Sequence, residues 1–173
     1  MKAILAALLV FGAAGVGAAE EAPLRAWTKG ATPPLALHDL AGADVDLRKL
    51  AGQVVVVNFW ATWCEPCIAE MPSLQRLRER LRGKSLEVLA VNYAESPEKV
   101  RAFLRKSSID LRVLLDPSKE AADAWNAKGL PMTFVVDRAG KVRYWIFGER
   151  DWNAGDTLAT IEKLVAEPAH AGR

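Results

Sequence analysis

The chain has 173 residues, 51% hydrophobic and 25% charged, a balance that fits one globular domain and excludes a disordered, collagenous or long coiled-coil polypeptide. Lys and Arg total 23 against 21 Asp and Glu, and a formal charge of +2 gives no electrostatic case for a nucleic-acid partner. The only cysteines are Cys64 and Cys67 and the only histidines His38 and His170, so a four-ligand Cys/His zinc site would consume all of them and is set aside.

Residues 1–19 begin with Lys2, continue as an apolar run and end in small residues before Glu20-Glu21, the pattern of a secretory signal peptide cleaved after Ala18 or Ala19. An uncleaved anchor is the alternative, because the run from Ala3 to Ala19 approaches the roughly 20 residues that span a bilayer. Export would put the cysteines in a periplasmic or other extracytoplasmic compartment, where disulfides persist and a reduced thiol needs a continual electron supply. Residues 20–34, with Pro23, Pro33 and Pro34 and no apolar period, read as a linker tethered through Trp27. The domain proper is assigned to 35–168 and a tail to 169–173.

Within the domain, Leu35, Leu37 and Leu40 and then Val45 and Leu47 flank Ala41-Gly42, predicting a small hairpin with His38 facing solvent. Residues 53–59 are a β-branched run, the signature of a strand covered on both faces. Ile68, Met71, Leu74, Leu77 and Leu81 follow at helical spacing until Gly83, and 86–91 is strand-like again, so a right-handed parallel crossover is expected. Ser96-Pro97-Glu98 starts a second helix with Ser as cap. A short strand at 113–115, a short helix at 119–125, a hairpin at 132–136 and 141–147 and a terminal helix carrying Leu158, Ile161, Leu164 and Val165 complete the chain.

The chemistry concentrates at Trp63-Cys64-Glu65-Pro66-Cys67, where a buried strand hands over to a helix. Cysteines three residues apart lie on one helical face within disulfide reach. The first amides of a helix lack intrahelical partners, so they and the helix dipole stabilise a thiolate at Cys64. Cys64 is therefore the expected nucleophile and Cys67 the buried resolving thiol. An inert structural disulfide is disfavoured because so short a loop removes little chain entropy. A Cu(I)-carrying dithiol assisted by Met71 or Met132 remains open. Glu65 is placed to modulate the cysteines by its charge, and Pro66 stiffens the loop. Glu70, one turn further on, is read as structural, and Pro72 is expected to kink the helix near Ile68.

Residues 56–67 resemble the active-site segment of the thioredoxin superfamily, and Cys64-x-x-Cys67-x-x-Glu70-x-Pro72 resembles its extracytoplasmic TlpA/ResA-like branch. Gly129-Leu130-Pro131 before a strand is similar to that family's cis-proline loop, and the likeness spans about residues 35–166. A peroxiredoxin site does not fit, because its threonine would fall at Ala61. The resemblance implies an α/β thioredoxin-like fold: a central mixed sheet with helices on both faces, an N-terminal hairpin and a helix and strand inserted around 95–115. It implies a docking rim of Trp63, Glu65, Pro66, Leu130 and Pro131, with Trp60 and Met132 turned into the core.

The resemblance also aligns Glu95 with a family carboxylate. Shielded from water, it would have a raised pKa and accept a proton from Cys67, whereas local sequence alone equally allows a solvated residue before the Ser96 cap. Asn58 stands where thioredoxin proper carries a buried aspartate. The implied activity is thiol-disulfide exchange with no cofactor beyond the Cys64–Cys67 pair. Substrates would be exported disulfide-containing proteins, foremost apocytochrome c, and the donor a membrane thiol-electron transporter. Reduction of copper-site cysteines in oxidase assembly, disulfide formation and Cu(I) carriage are the alternatives.

Overall fold

The computed structural model describes residues 22–168, so the signal segment, His170 and the tail at 169–173 lie outside the described residues. Its strands are β1 (Arg25–Ala26), β2 (Ala36–Asp39), β3 (Asp44–Asp46), β4 (Val54–Trp60), β5 (Leu86–Tyr93), β6 (Arg112–Asp116), β7 (Met132–Val136) and β8 (Val142–Phe147). Its helices are α1 (Glu65–Arg80), α2 (Pro97–Leu104), α3 (Glu120–Ala124) and α4 (Gly155–Ala166). The strands form one mixed sheet in the order β1-β8-β7-β4-β5-β6-β2-β3. β4, β5 and β6 are parallel, joined by α1 and α2, while β7 and β8 return antiparallel.

Both faces of the sheet are covered, and the β-branched run at 54–57 supplies one side chain to each in turn. Val54, Val56 and Trp60 face the cluster built with Met71, Leu74 and Leu77 of α1, Val100 of α2, and Leu158, Ile161 and Leu164 of α4. Val55, Val57 and Phe59 face Ala121, Ala122 and Trp125 around α3, together with Leu35, Val45 and Leu47. This is the thioredoxin-like α/β arrangement that the resemblance implied, with the hairpin β2–β3 docked through β2 on β6.

The caps explain where elements begin. Ser96 accepts the Lys99 amide at 3.3 Å and Pro97 opens α2, as the sequence indicated. Asp116, fully buried at the end of β6, accepts the amides of Ala121 and Ala122 and so starts α3. Gly83, at φ +77, takes the left-handed turn that ends the α1 connection.

Residues 22–34 do more than connect. Arg25 and Ala26 pair with Trp145 and Tyr144 of β8, and Trp27 packs edge-to-face on Phe134 at 5.8 Å. The Arg150 guanidinium donates to the Ala22 carbonyl and, at 2.8 Å, to the Thr157 hydroxyl, stitching the segment to the start of α4. Among the described residues, no helix is long and apolar enough to cross a membrane.

Candidate active site

Cys64 and Cys67 form a disulfide with an S–S distance of 2.00 Å and a Cα–Cα distance of 5.3 Å. Cys64 is the N-cap of α1, and its Sγ accepts the Cys67 amide at 3.3 Å. That amide is one of the helix's unpartnered donors, so the contact is available to hold a thiolate once the bond opens. A nucleophile at Cys64 must be reachable by a visiting disulfide; the residue retains 5% exposure against 0% for Cys67. The asymmetry has the expected direction, but Cys64 opens to solvent through a narrow window.

The rim is uneven. Trp63 is 63% exposed, and Glu65 and Pro66 are exposed beside it. Across the window the Leu130–Pro131 peptide is cis, as the resemblance implied; Leu130 is half-buried and packs on the cluster that holds both cysteines. Pro131 is buried, its carbonyl accepting the Gly148 amide at 3.0 Å. Trp60 and Met132 lie in the core, on opposite sides of the sheet. Met71 and Met132 likewise belong to opposite clusters, so they do not converge on the sulfurs as a thioether pair. His38 is exposed and pairs with Asp44 at 2.8 Å, at the far hairpin. Among the described residues, no group of three or more His, Cys, Asp or Glu side chains is placed to hold a metal ion.

Glu95 is buried, not solvated, but its electrostatics reverse the expected direction. Burial alone would raise its pKa; the Lys99 ammonium at 2.7 Å, the Thr62 hydroxyl at 2.6 Å, the Thr62 amide at 2.7 Å and the Asn92 amide at 2.9 Å outweigh it and hold the carboxyl below its ordinary value. The corrected picture is a carboxylate kept charged and tied to the loop two residues before Cys64.

The group whose acidity burial does weaken is Glu70. Only 1% exposed, it accepts from Asn58 Nδ2 at 2.7 Å, Trp152 Nε1 at 3.0 Å and the Arg150 amide at 3.3 Å. Burial pushes its pKa up to about 7 against these bonds. Asn58 also donates to Thr133 Oγ1 at 2.8 Å, so the position occupied in thioredoxin proper by an aspartate here carries an amide that addresses an acid supplied from the helix. The structural reading of Glu70 was incomplete. The available signal was its place in the buried stripe Cys67, Glu70, Met71, Leu74, where a carboxylate is costly without a purpose.

Compared with known proteins, residues 29–145 match the AhpC/TSA family model. The chain belongs to the AhpC/TSA family. Among relatives, the thiol-disulfide oxidoreductase ResA of Bacillus subtilis (strain 168) is 36% identical over 110 residues, which cover 64% of this chain and 62% of that one. The thiol-disulfide oxidoreductase ResA of Bacillus thuringiensis (strain Al Hakam) is 32% identical over 118 residues, 68% of each chain, so this AhpC/TSA member is ResA-like. The chain spans less than two thirds of the length of the first of these relatives. A crystal structure from Chlorobium tepidum, described as that of a thiol:disulfide interchange protein DsbE, superposes with a TM-score of 0.73 at 29% identity, covering 79% of this chain and 96% of its own. Where a peroxiredoxin threonine would stand, this family member has the fully buried Ala61.

Proposed function

We propose that this AhpC/TSA-family chain is an extracytoplasmic reductant of disulfides in other exported proteins, and that the haem-binding cysteines of apocytochrome c are its foremost substrate. The observation that carries the reading is the Cys64–Cys67 disulfide at a helix N-terminus, beside an exposed tryptophan and a cis-proline loop. In the reduced state the Cys64 thiolate attacks one sulfur of the substrate disulfide, forming a mixed disulfide and releasing the other substrate sulfur as a thiolate. Cys67 then attacks Cys64 Sγ, closing the intramolecular bond and freeing the second substrate thiolate. Two electrons have passed to the substrate, and a membrane thiol-electron transporter returns two to reopen the bond.

The proton that Cys67 must lose has a better-matched acceptor in Glu70 than in Glu95. Glu70 lies three residues along the same buried helix face, and its pKa of about 7 lies near the working pH. Trp63, Glu65, Pro66, Leu130 and Pro131 form the rim on which an extended substrate segment docks.

Trapping tests the reading. Cys67→Ala produced in the exporting cell is expected to accumulate a mixed disulfide between Cys64 and its substrate, released by dithiothreitol, while Cys64→Ala accumulates none. The direction of electron flow is read from equilibrium with glutathione. A potential below roughly −200 mV fits a reductant, whereas one near about −120 mV would make the protein a disulfide-forming oxidant and overturn the proposal.

A further inference from the structure

Besides the apolar packing of Val100 on the cluster that holds the cysteines, the helix inserted after β5 reaches the redox loop by a polar route through one buried carboxylate. Glu95 receives two bonds from Thr62, at 2.7 Å from its amide and 2.6 Å from its hydroxyl, and Thr62 is two residues from Cys64. On its other side it receives the Lys99 ammonium at 2.7 Å, one turn along α2, and the Asn92 side chain at 2.9 Å. These are four donors from three segments: the loop after β4, the end of β5 and the first turn of α2. The Glu95 side chain is 3% exposed whereas that of Lys99 is 57% exposed, so an accessible ammonium is wired to a shielded anion.

The backbone shows that the arrangement is held at a cost. Ala94, just before Glu95, has φ +58, a left-handed conformation that disfavours a side chain with a Cβ. The Ala94 amide is fixed on the Asp116 carbonyl at 3.0 Å, and the turn swings Glu95 inward instead of toward water. A surface residue preceding a helix cap has no need of such a turn. A carboxylate required to reach Thr62 does.

We propose that Lys99 is a positioning residue for the redox dithiol, acting through Glu95 to fix the Thr62–Cys64 loop and to offset the carboxylate charge that Cys64 would otherwise feel when it ionises. The inserted helix is then a working part of the site and not an ornament on the fold. Lys99 touches no reacting atom; its effect passes through the two Thr62 bonds and through charge. Lys99 supplies the charged group facing Glu95 from α2, and the other two contacts, Thr62 and Asn92, are neutral. Without the ammonium, the uncompensated carboxylate disfavours the Cys64 thiolate and raises the pH at which that thiol ionises.

The inference rests on Cys64 being the reactive thiol, but its test needs no protein substrate. The reduced full chain is alkylated with iodoacetamide over a range of pH, and mass spectrometry follows modification at Cys64. Lys99→Met is expected to move the midpoint of the rate curve to higher pH by about half a pKa unit, so that alkylation on the acid limb, well below the midpoint, slows about threefold. Lys99→Arg restores the wild-type curve to within about twofold, since it returns the charge. Lys106→Met removes an equal charge outside α2 and is expected to leave the curve in place. Thr62→Val, which deletes one of the links, should shift the curve in the same direction and combine with Lys99→Met less than additively. A Lys99→Met curve superposed on the wild type, or one displaced no further than that of Lys106→Met, overturns the inference. Failure of the reductant reading would appear elsewhere, as absence of trapped partner in Cys67→Ala with the titration effect intact.

Discussion

At the scale of single residues, the site is governed by two buried carboxylates pushed in opposite directions. Glu95 is held charged by four donors, whereas Glu70 gains three weaker neutral ones and is dominated by burial, which lifts its pKa from 4.5 to about 7. The sign of the resulting pH dependence follows. Because the folded chain keeps the Glu70 proton that the unfolded chain has lost, this residue's contribution to stability is greatest below about pH 4.5 and declines as pH rises to about 7. The decline is worth up to about 3 kcal/mol. Glu70→Gln, which removes the titration and keeps the volume, should flatten that part of the stability profile measured by urea unfolding at pH 4.5 and pH 8. If the variant loses stability between those values as steeply as the wild type, Glu70 has ordinary acidity and its proposed role as proton acceptor fails. In sequence only the placement of Glu70 within the buried stripe of α1 hinted at this; the direction in which each carboxylate is pushed was not legible, because the donors around Glu95 come from separate segments and the inward turn at Ala94 leaves no compositional trace.

At the scale of elements, the handover from β4 to α1 was the most readable part of the chain. A run of four valines fixes a strand buried on both faces, and the cysteine motif with its proline marks the start of the helix. The opposing wall was harder to read, because it is assembled from the loop before β7 and the end of β8. There Phe147, 57% exposed, lies over Gly129, and a Cβ at position 129 would approach Phe147 Cε2 to 2.6 Å. Gly129→Ala must therefore displace the ring. Since the ring has solvent to move into, the expected stability cost is small, about 1 kcal/mol. The effect on docking should be larger: KM for a disulfide-bonded protein rises while kcat holds, and Phe147→Ala added to Gly129→Ala recovers the stability but not the KM. A Gly129→Ala variant with unchanged KM would show that this wall does not meet the substrate.

Across the whole molecule, the sheet separates two cores with different tasks. The redox pair, α1, α2 and α4 share one, while Trp27 of the N-terminal segment and the residues around α3 seal the other. The central strands and helices were readable because each carries an unmistakable period. β1 was not, since two residues of strand cannot establish one and their pairing is decided by β8. The division makes stability and chemistry separable. Trp27→Ala removes the aromatic contact with Phe134 on the face away from the cysteines, and should cost about 2 kcal/mol in denaturant unfolding while leaving the Cys64 alkylation curve unmoved. A change in that curve would mean that the two cores are coupled through the sheet.

The outward-facing indole of Trp63 stands one position from the disulfide, while Trp60, Trp125 and Trp152 are enclosed in the interior. Disulfides quench nearby indole emission, and a water-exposed ring emits at longer wavelength than a sheltered one. The protein thus carries a built-in optical gauge of its own oxidation state, readable at the red edge of its fluorescence without any added dye.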